Sequence, residues 1–309
     1  MCLPEFVPRR FAYVAAAGLL LIALVAAGLL SGRGGREPEY DGRPLGFWVQ
    51  QQVPSSTNPL LPVALSDEGA NAVRQIGTNG LPMLIHWMSY PERSLRERMF
   101  QWLSRKPVSP AVWNFAHPRS YRPDFGILGI RALGPQARAA IPALVKLVGK
   151  KQDAQWAVLA LCAIGPEGTA GLNEALERID DGSARGNVLL QLQHGIWPER
   201  QADVAPLLTG RLTGDPSAGA RMSAAMVLRN FTNAAALVVP ALARAMHDRD
   251  GGVRFTAAES LGHFGAEASP AVPTLEAALS DENPTVRASA TQALHLIRQI
   301  GGAGNEKAR

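Results

Sequence analysis

Residues 215–230 read DPSAGARMSAAMVLRN, residues 248–263 read DRDGGVRFTAAESLGH and residues 281–296 read DENPTVRASATQALHL. Each copy lies 33 residues after the last and opens on Asp-x5-Arg: Asp215 with Arg221, Asp248 with Arg254, Asp281 with Arg287. Behind the charges, Ala224, Ala257 and Ala290 share one column, and Leu228, Leu261 and Leu294 share another four residues on. Residues four apart lie on one face of an α-helix. A period of this length is one helical hairpin, whose apolar stripe is buried only by stacking on the next copy. The stretch therefore predicts an all-α solenoid.

The pattern extends towards the N-terminus. Pro142, Pro206, Pro240 and Pro273 recur at intervals of 29 to 35 residues if Gly171 is counted in the slot between the first two, and Pro82 heads an earlier copy. These residues are expected to open the second helix of each unit, where a missing N–H costs nothing. Gly77, Gly134, Gly165 and Gly265 follow apolar helical runs and predict left-handed C-terminal turns. The composition agrees with packed helices: 47% of residues are hydrophobic, 18% charged and only 6% aromatic.

Val253-Arg254 followed by Ala257, Ala258, Leu261 and Gly265, then Ala271-Val272-Pro273 and Leu275, resemble the HEAT-repeat family in its short bacterial form, over roughly residues 67–300. The resemblance implies a right-handed superhelix whose second helices line a concave surface and whose Asp and Arg side chains form a ladder between units. Exposed ion pairs contribute only ~0–1 kcal/mol each, so the ladder is expected to set register rather than supply stability. Residues 40–48 (Tyr40-Asp41-Gly42-Arg43-Pro44-Leu45-Gly46-Phe47-Trp48) are similar to the opening, and residues 72–79 to the first repeat, of exported HEAT-repeat proteins of verrucomicrobial-type bacteria.

Residues 11–30 are twenty uncharged, mainly apolar residues behind Arg9 and Arg10. At about 1.5 Å per residue such a helix covers the roughly 30 Å hydrocarbon core of a bilayer. The run is longer than the apolar core of most cleaved signals, so an uncleaved transmembrane anchor is favoured over a removed signal peptide. Either way the rest of the chain is exported, which places it at a bacterial inner membrane, single-pass, with the C-terminal domain in the periplasm. The expected layout is a tail over 1–10, the anchor over 11–30, a linker over 31–43, the solenoid over 44–300 and a flexible tail over 301–309. No disulfide is expected, because the apolar segment separates Cys2 from Cys162.

An irregular insertion over residues 105–125 breaks the period. It holds Pro107, Pro110, Pro118 and Pro123, and residues 89–125 carry seven Lys or Arg against three acidic residues, together with seven of the chain's nineteen aromatics. Aromatic residues and Arg are enriched where proteins bind one another. Arg105, Trp113, Phe115, Arg119, Tyr121 and Arg122 are accordingly the candidate partner-binding residues; the alternative is that the aromatics plug the groove beside the first repeats. The six histidines form no metal-binding spacing, and no nucleophile elbow, phosphate loop or dinucleotide fingerprint is present. The residues thus predict a non-enzymatic, membrane-anchored scaffold for a protein or peptide partner, with no metal or cofactor. The alternative is a cytoplasmic HEAT-like enzyme, such as a bilin lyase, or a nucleic-acid binder, and export argues against both.

Overall fold

A computed structural model describes residues 37–53, 64–89, 123–150, 153–194 and 196–306. From Glu39 onward these form one compact unit. It opens with an antiparallel hairpin, β1 (Glu39–Tyr40) and β2 (Arg43–Pro44), followed by the short helix α1 (Leu45–Val49). A second small ribbon pairs β3 (Gln52–Val53) with β4 (Ala64–Leu65). Everything after it is helical.

The helices come in pairs. The first is α2 (Asp67–Ile76) with α3 (Leu81–Met88), and the second α4 (Pro123–Leu133) with α5 (Ile141–Val148). Next come α6 (Ala154–Ile164) with α7 (Pro166–Glu177), and α8 (Gly182–Leu190) with α9 (Gln201–Gly214). The last two pairs are α10 (Ala218–Leu228) with α11 (Ala235–Ala245), and α12 (Gly251–His263) with α13 (Val272–Ala277). A single long helix, α14 (Pro284–Glu306), ends the stack, so helix continues past residue 300, where a flexible tail was expected. First helices pack on first helices and second on second, the arrangement of an α-solenoid.

Local chemistry explains the boundaries. Ser66 accepts a hydrogen bond from the Gly69 amide at the start of α2, and Asp250 accepts from Gly252 and Val253 at the start of α12. Gly77, Gly134, Gly165 and Gly265 all have positive φ, as the sequence predicts for residues that turn a helix back on itself. The proline column behaves differently. Pro82, Pro142 and Pro273 lie in the first turn of their helices, but Pro206 and Pro240 lie inside α9 and α11. In those two units the helix begins earlier, and the proline forgoes a single backbone bond near the N-terminal end. Pro166, at the start of α7, takes the opening role that the spacing assigns to Gly171.

Pro123 to Phe125, expected from the sequence to end the irregular insertion, instead belong to α4, where half-buried Phe125 meets Trp87 edge-on at 6.0 Å. Arg105, Trp113, Phe115, Arg119, Tyr121 and Arg122 lie outside the described residues, as do residues 11–30. Among the described residues no single helix is long and apolar enough to cross a membrane.

One contiguous apolar core runs from Leu45 to Ile297. The alanine column (Ala224, Ala257, Ala290) is fully buried, and these small side chains let first helices approach closely. At Gly168 the approach is closer still: a Cβ there would lie 2.0 Å from the Leu161 carbonyl oxygen on α6. Gly210 on α9, by contrast, has nothing within 4 Å of where an added methyl carbon would stand. Gly168→Ala should therefore destabilise the unit by about 1–3 kcal/mol, whereas Gly210→Ala should stabilise it by about 0.5–1 kcal/mol through helix propensity. Urea unfolding midpoints of the two variants should move in opposite directions.

Candidate partner-binding surfaces

The charged residues singled out by the sequence form a ladder, and its rungs cross between repeats. Arg221, the fourth residue of α10, gives Nε and Nη2 to the two carboxylate oxygens of Asp248 at 2.7 and 2.8 Å, while its Nη1 donates to the backbone carbonyls of Asp215 and Pro216. Arg254 repeats this with Asp281 at 2.8 and 2.9 Å and with the Asp248 carbonyl. Each aspartate also accepts the amide two residues ahead: Ser217, Asp250 or Asn283. One side chain thus pins its own turn, and the next repeat's turn is held by the other side of the same guanidinium.

Contrary to the expectation of exposed pairs, the ladder is buried: Arg221 and Asp248 side chains are 5% and 12% exposed, and Asp215 is 0% exposed. Bidentate, desolvated pairs of this kind are held far more firmly than surface pairs. Burial works against ionisation of Asp215 and Asp248, but hydrogen bonds from Arg185 and Arg221 and from backbone amides outweigh it and depress both carboxyls below their ordinary range. The hydrogen bond from Arg254 does the same for Asp281.

A rung that the Asp-x5-Arg pattern does not reveal precedes these. Arg185, fourth in α8, binds Asp215 through Nε and Nη2 at 2.9 and 2.8 Å, and its Nη1 donates to the Ile179 and Asp180 carbonyls. Ile179 occupies the place of the aspartate in that repeat, so a search for the pair passes over the arginine. A search for arginine alone at the fourth helical position would find it. Arg287, fourth in α14, donates to the Asp281 and Glu282 carbonyls and lies close enough to help hold the Asp281 carboxyl ionised, without a bidentate rung of its own among the described residues.

Among the described residues no rung precedes Arg185, and the seam just before it lacks both charges. Between α6 and α8 the arginine position, eleven residues before the turn glycine Gly165 as Arg254 is before Gly265, is Ala154, and the aspartate position is Ile179, so both charges are absent together. Here α6 and α8 barely touch, and a cleft of about 590 Å³ opens at this seam between α8 and the turn that joins α5 to α6. Its floor is apolar, with Val148, Ala154, Ile179, Val188 and Leu190, and its rim is polar, with Asp181, Asn187 and Gln191. The opposite edge of this seam is tied down. Arg131 on α4 bonds Glu199 at 2.7 Å and lies over the buried Trp197 ring at 4.7 Å, and Arg200 pairs with Asp203 at 3.1 Å. Burial opposes ionisation of Glu199, but backbone and Arg131 hydrogen bonds lower its pKa overall. A smaller groove of about 290 Å³ lies between α7 and α9, where Arg211 reaches Asn173 and the bare backbone of Gly210 and Gly214 forms part of the lining.

Residues 205–295 match the family model of HEAT repeats. This part of the chain is a HEAT array. Its matched span contains two complete rungs of the ladder and excludes the open seam. Solved structures similar to the chain include a designed armadillo repeat protein in complex with the peptide (KR)4, at 17% identity over 70% of this chain and 99% of that one, with a TM-score of 0.35. Human deoxyhypusine hydroxylase in complex with glycerol is similar at 18% identity over 82% of this chain and 96% of that one, also with a TM-score of 0.35. Likenesses this distant carry no argument about function. No curated protein gives a significant match, and none of these matches bears on the likeness of residues 40–48 and 72–79 to exported verrucomicrobial proteins. Among the described residues, no group of three or more His, Cys, Asp or Glu side chains is placed to hold a metal ion. Cys162 is fully buried, and desolvation pushes its thiol up to about 12, so it packs as a small core residue.

The seam between α6 and α8 shows that an apolar pair is tolerated at a rung position. Arg221→Ala alone leaves the Asp248 carboxylate buried and unpaired and should cost about 3–5 kcal/mol. Adding Asp248→Ile should recover a large part of that loss, so a double-mutant cycle should give strong positive coupling. The wild-type ladder has depressed carboxyls, so its contribution is complete above the ordinary carboxylate value of 3.8 and disappears as pH falls through the lower folded values. Thermal melting between pH 6 and pH 2 should show this acid limb, and the double variant should show a shallower one.

Proposed function

We propose that this protein is a non-enzymatic HEAT-repeat scaffold, tethered to the bacterial inner membrane by residues 11–30, that holds a protein or peptide segment on its periplasmic solenoid. The observation that carries the partner reading is the open seam between α6 and α8. From Arg185 onward buried Arg–Asp pairs join one repeat to the next, but at this seam an apolar floor with a polar rim faces outward in a cleft of about 590 Å³. Clefts of roughly 300–1,000 Å³ with apolar walls and a few polar groups are the usual form of a recognition site. The groove between α7 and α9 offers a second contact, and residues 105–122, rich in Arg and aromatic side chains, supply further binding chemistry of the kind enriched at interfaces. Support for the tether comes from the sequence: twenty uncharged residues match a bilayer's thickness.

A photo-crosslinking residue at exposed Asn187 should capture a discrete envelope protein in cells, and the same residue at Thr291 on α14 should not. Ala184→Trp, which fills the cleft, should abolish the adduct while leaving the urea midpoint unchanged. An adduct of equal strength from both positions would remove the cleft from the reading. Reporter fusions to the C-terminus should be active only outside the cytoplasm; cytoplasmic activity would overturn the export reading.

A further inference from the structure

The cap that opens the solenoid carries an arrangement the scaffold reading does not use. Only six large apolar side chains are exposed among the described residues, and two of them, Tyr40 and Phe47, belong to this cap at 38% each. Both make edge contacts with Trp48, at 6.0 and 5.1 Å, and Trp48 itself is buried. Its indole N–H is shared between the Tyr40 and Arg43 carbonyls at 3.1 and 3.2 Å, which locks β1, β2 and α1 into one rigid piece. The Asp41-Gly42 turn, with both residues at positive φ, closes the hairpin tightly. Exposed Arg43 lies over Phe47 at 4.5 Å and over Trp48 at 5.6 Å. The result is two outward aromatic rings flanking one guanidinium, preorganised before any partner arrives.

We propose that this cap rests in the interfacial layer of a lipid bilayer, with Tyr40 and Phe47 among the glycerol and upper acyl groups and Arg43 at the lipid phosphates. The inference rests on the reading of residues 11–30 as a membrane anchor. Nine residue steps separate Leu30 from Glu39. A chain of that length spans at most about 30 Å, so an anchored segment holds the cap within reach of the headgroups at high effective concentration. Aromatic side chains with polar edges collect at the boundary between headgroups and acyl chains, and Arg pairs with phosphate in a planar fork. Glu39 and Asp41 on the same hairpin offset Arg43, so the attachment depends on the rings rather than on net attraction to anionic lipid.

The test uses the full chain with Cys2→Ser, so that a nitroxide label reacts only at an introduced cysteine and not at buried Cys162. Labels are placed singly at Tyr40→Cys, at Phe47→Cys and, as an aqueous reference, at exposed Thr291→Cys. The chains are reconstituted into vesicles of phosphatidylcholine alone and of phosphatidylethanolamine with phosphatidylglycerol. Positions 40 and 47 should show a several-fold higher ratio of oxygen to nickel-chelate collisions than position 291, in both lipid mixtures; two label sites keep one local folding defect from deciding the result. If both positions read like 291 while the chain floats with vesicles, the cap faces water or a protein and the inference fails, leaving the anchor intact. A signal present only with phosphatidylglycerol overturns the ring-driven mechanism. A chain that does not float overturns the anchor and the inference together.

Discussion

A helical hairpin of some thirty residues cannot enclose its own apolar stripe, and every feature of this molecule follows from how that surface is covered. From α10 onward each first helix leans on the next first helix across a column of alanines, and each unit is stable only in company. The ends need separate treatment. At the start, the cap places Leu45, Trp48 and Val49 over the first pair, and at the finish α14 turns Arg287, Thr291, Gln292 and His295 towards solvent. A polar outer face on a terminal element is what a stacked array requires to remain soluble.

Upon this apolar stacking the ladder adds direction. Leucine and alanine columns would tolerate a sliding of one hairpin along another by a helical turn, because the same residue types recur. A guanidinium that must meet one carboxylate and two carbonyls at once leaves a single register. Burial sharpens the demand, since a displaced rung would strand an ion in the interior at a cost of several kcal/mol. The seam between α6 and α8 forgoes this device, and there the fold relies instead on Arg131, Trp197 and Glu199 at the opposite edge.

Much of this is legible from residues. The 33-residue offset, the alanine and leucine columns and the four turn glycines are each the product of a local rule, and each is found where the pattern puts it. Less legible is what depends on three-dimensional context. Pro206 and Pro240 lie within helices because tertiary packing extends α9 and α11 backwards past them. Arg185 escapes notice because its own repeat carries Ile179 in place of aspartate, while its partner comes thirty residues later. The cap hairpin carries the Asp-Gly signature of a tight turn, yet two-residue strands are too short to announce themselves by alternation. The cleft is invisible in the sequence for a different reason: it arises from two substitutions in separate repeats whose joint effect appears only when the helices are side by side.

The head-to-tail form of the ladder also bears on how such a protein changes over generations. Every unit from α10 onward presents an arginine at one end and an aspartate at the other, so a duplicated copy of residues 215–247 would meet both its neighbours with complementary groups already in place. Gene duplication or deletion in that half alters length without demanding any compensating substitution. Across the seam at Ile179 this modularity stops, since a unit copied from one side carries the wrong chemistry for the other. The array is thus free to lengthen at its C-terminal half, while the first three pairs are inherited as a block.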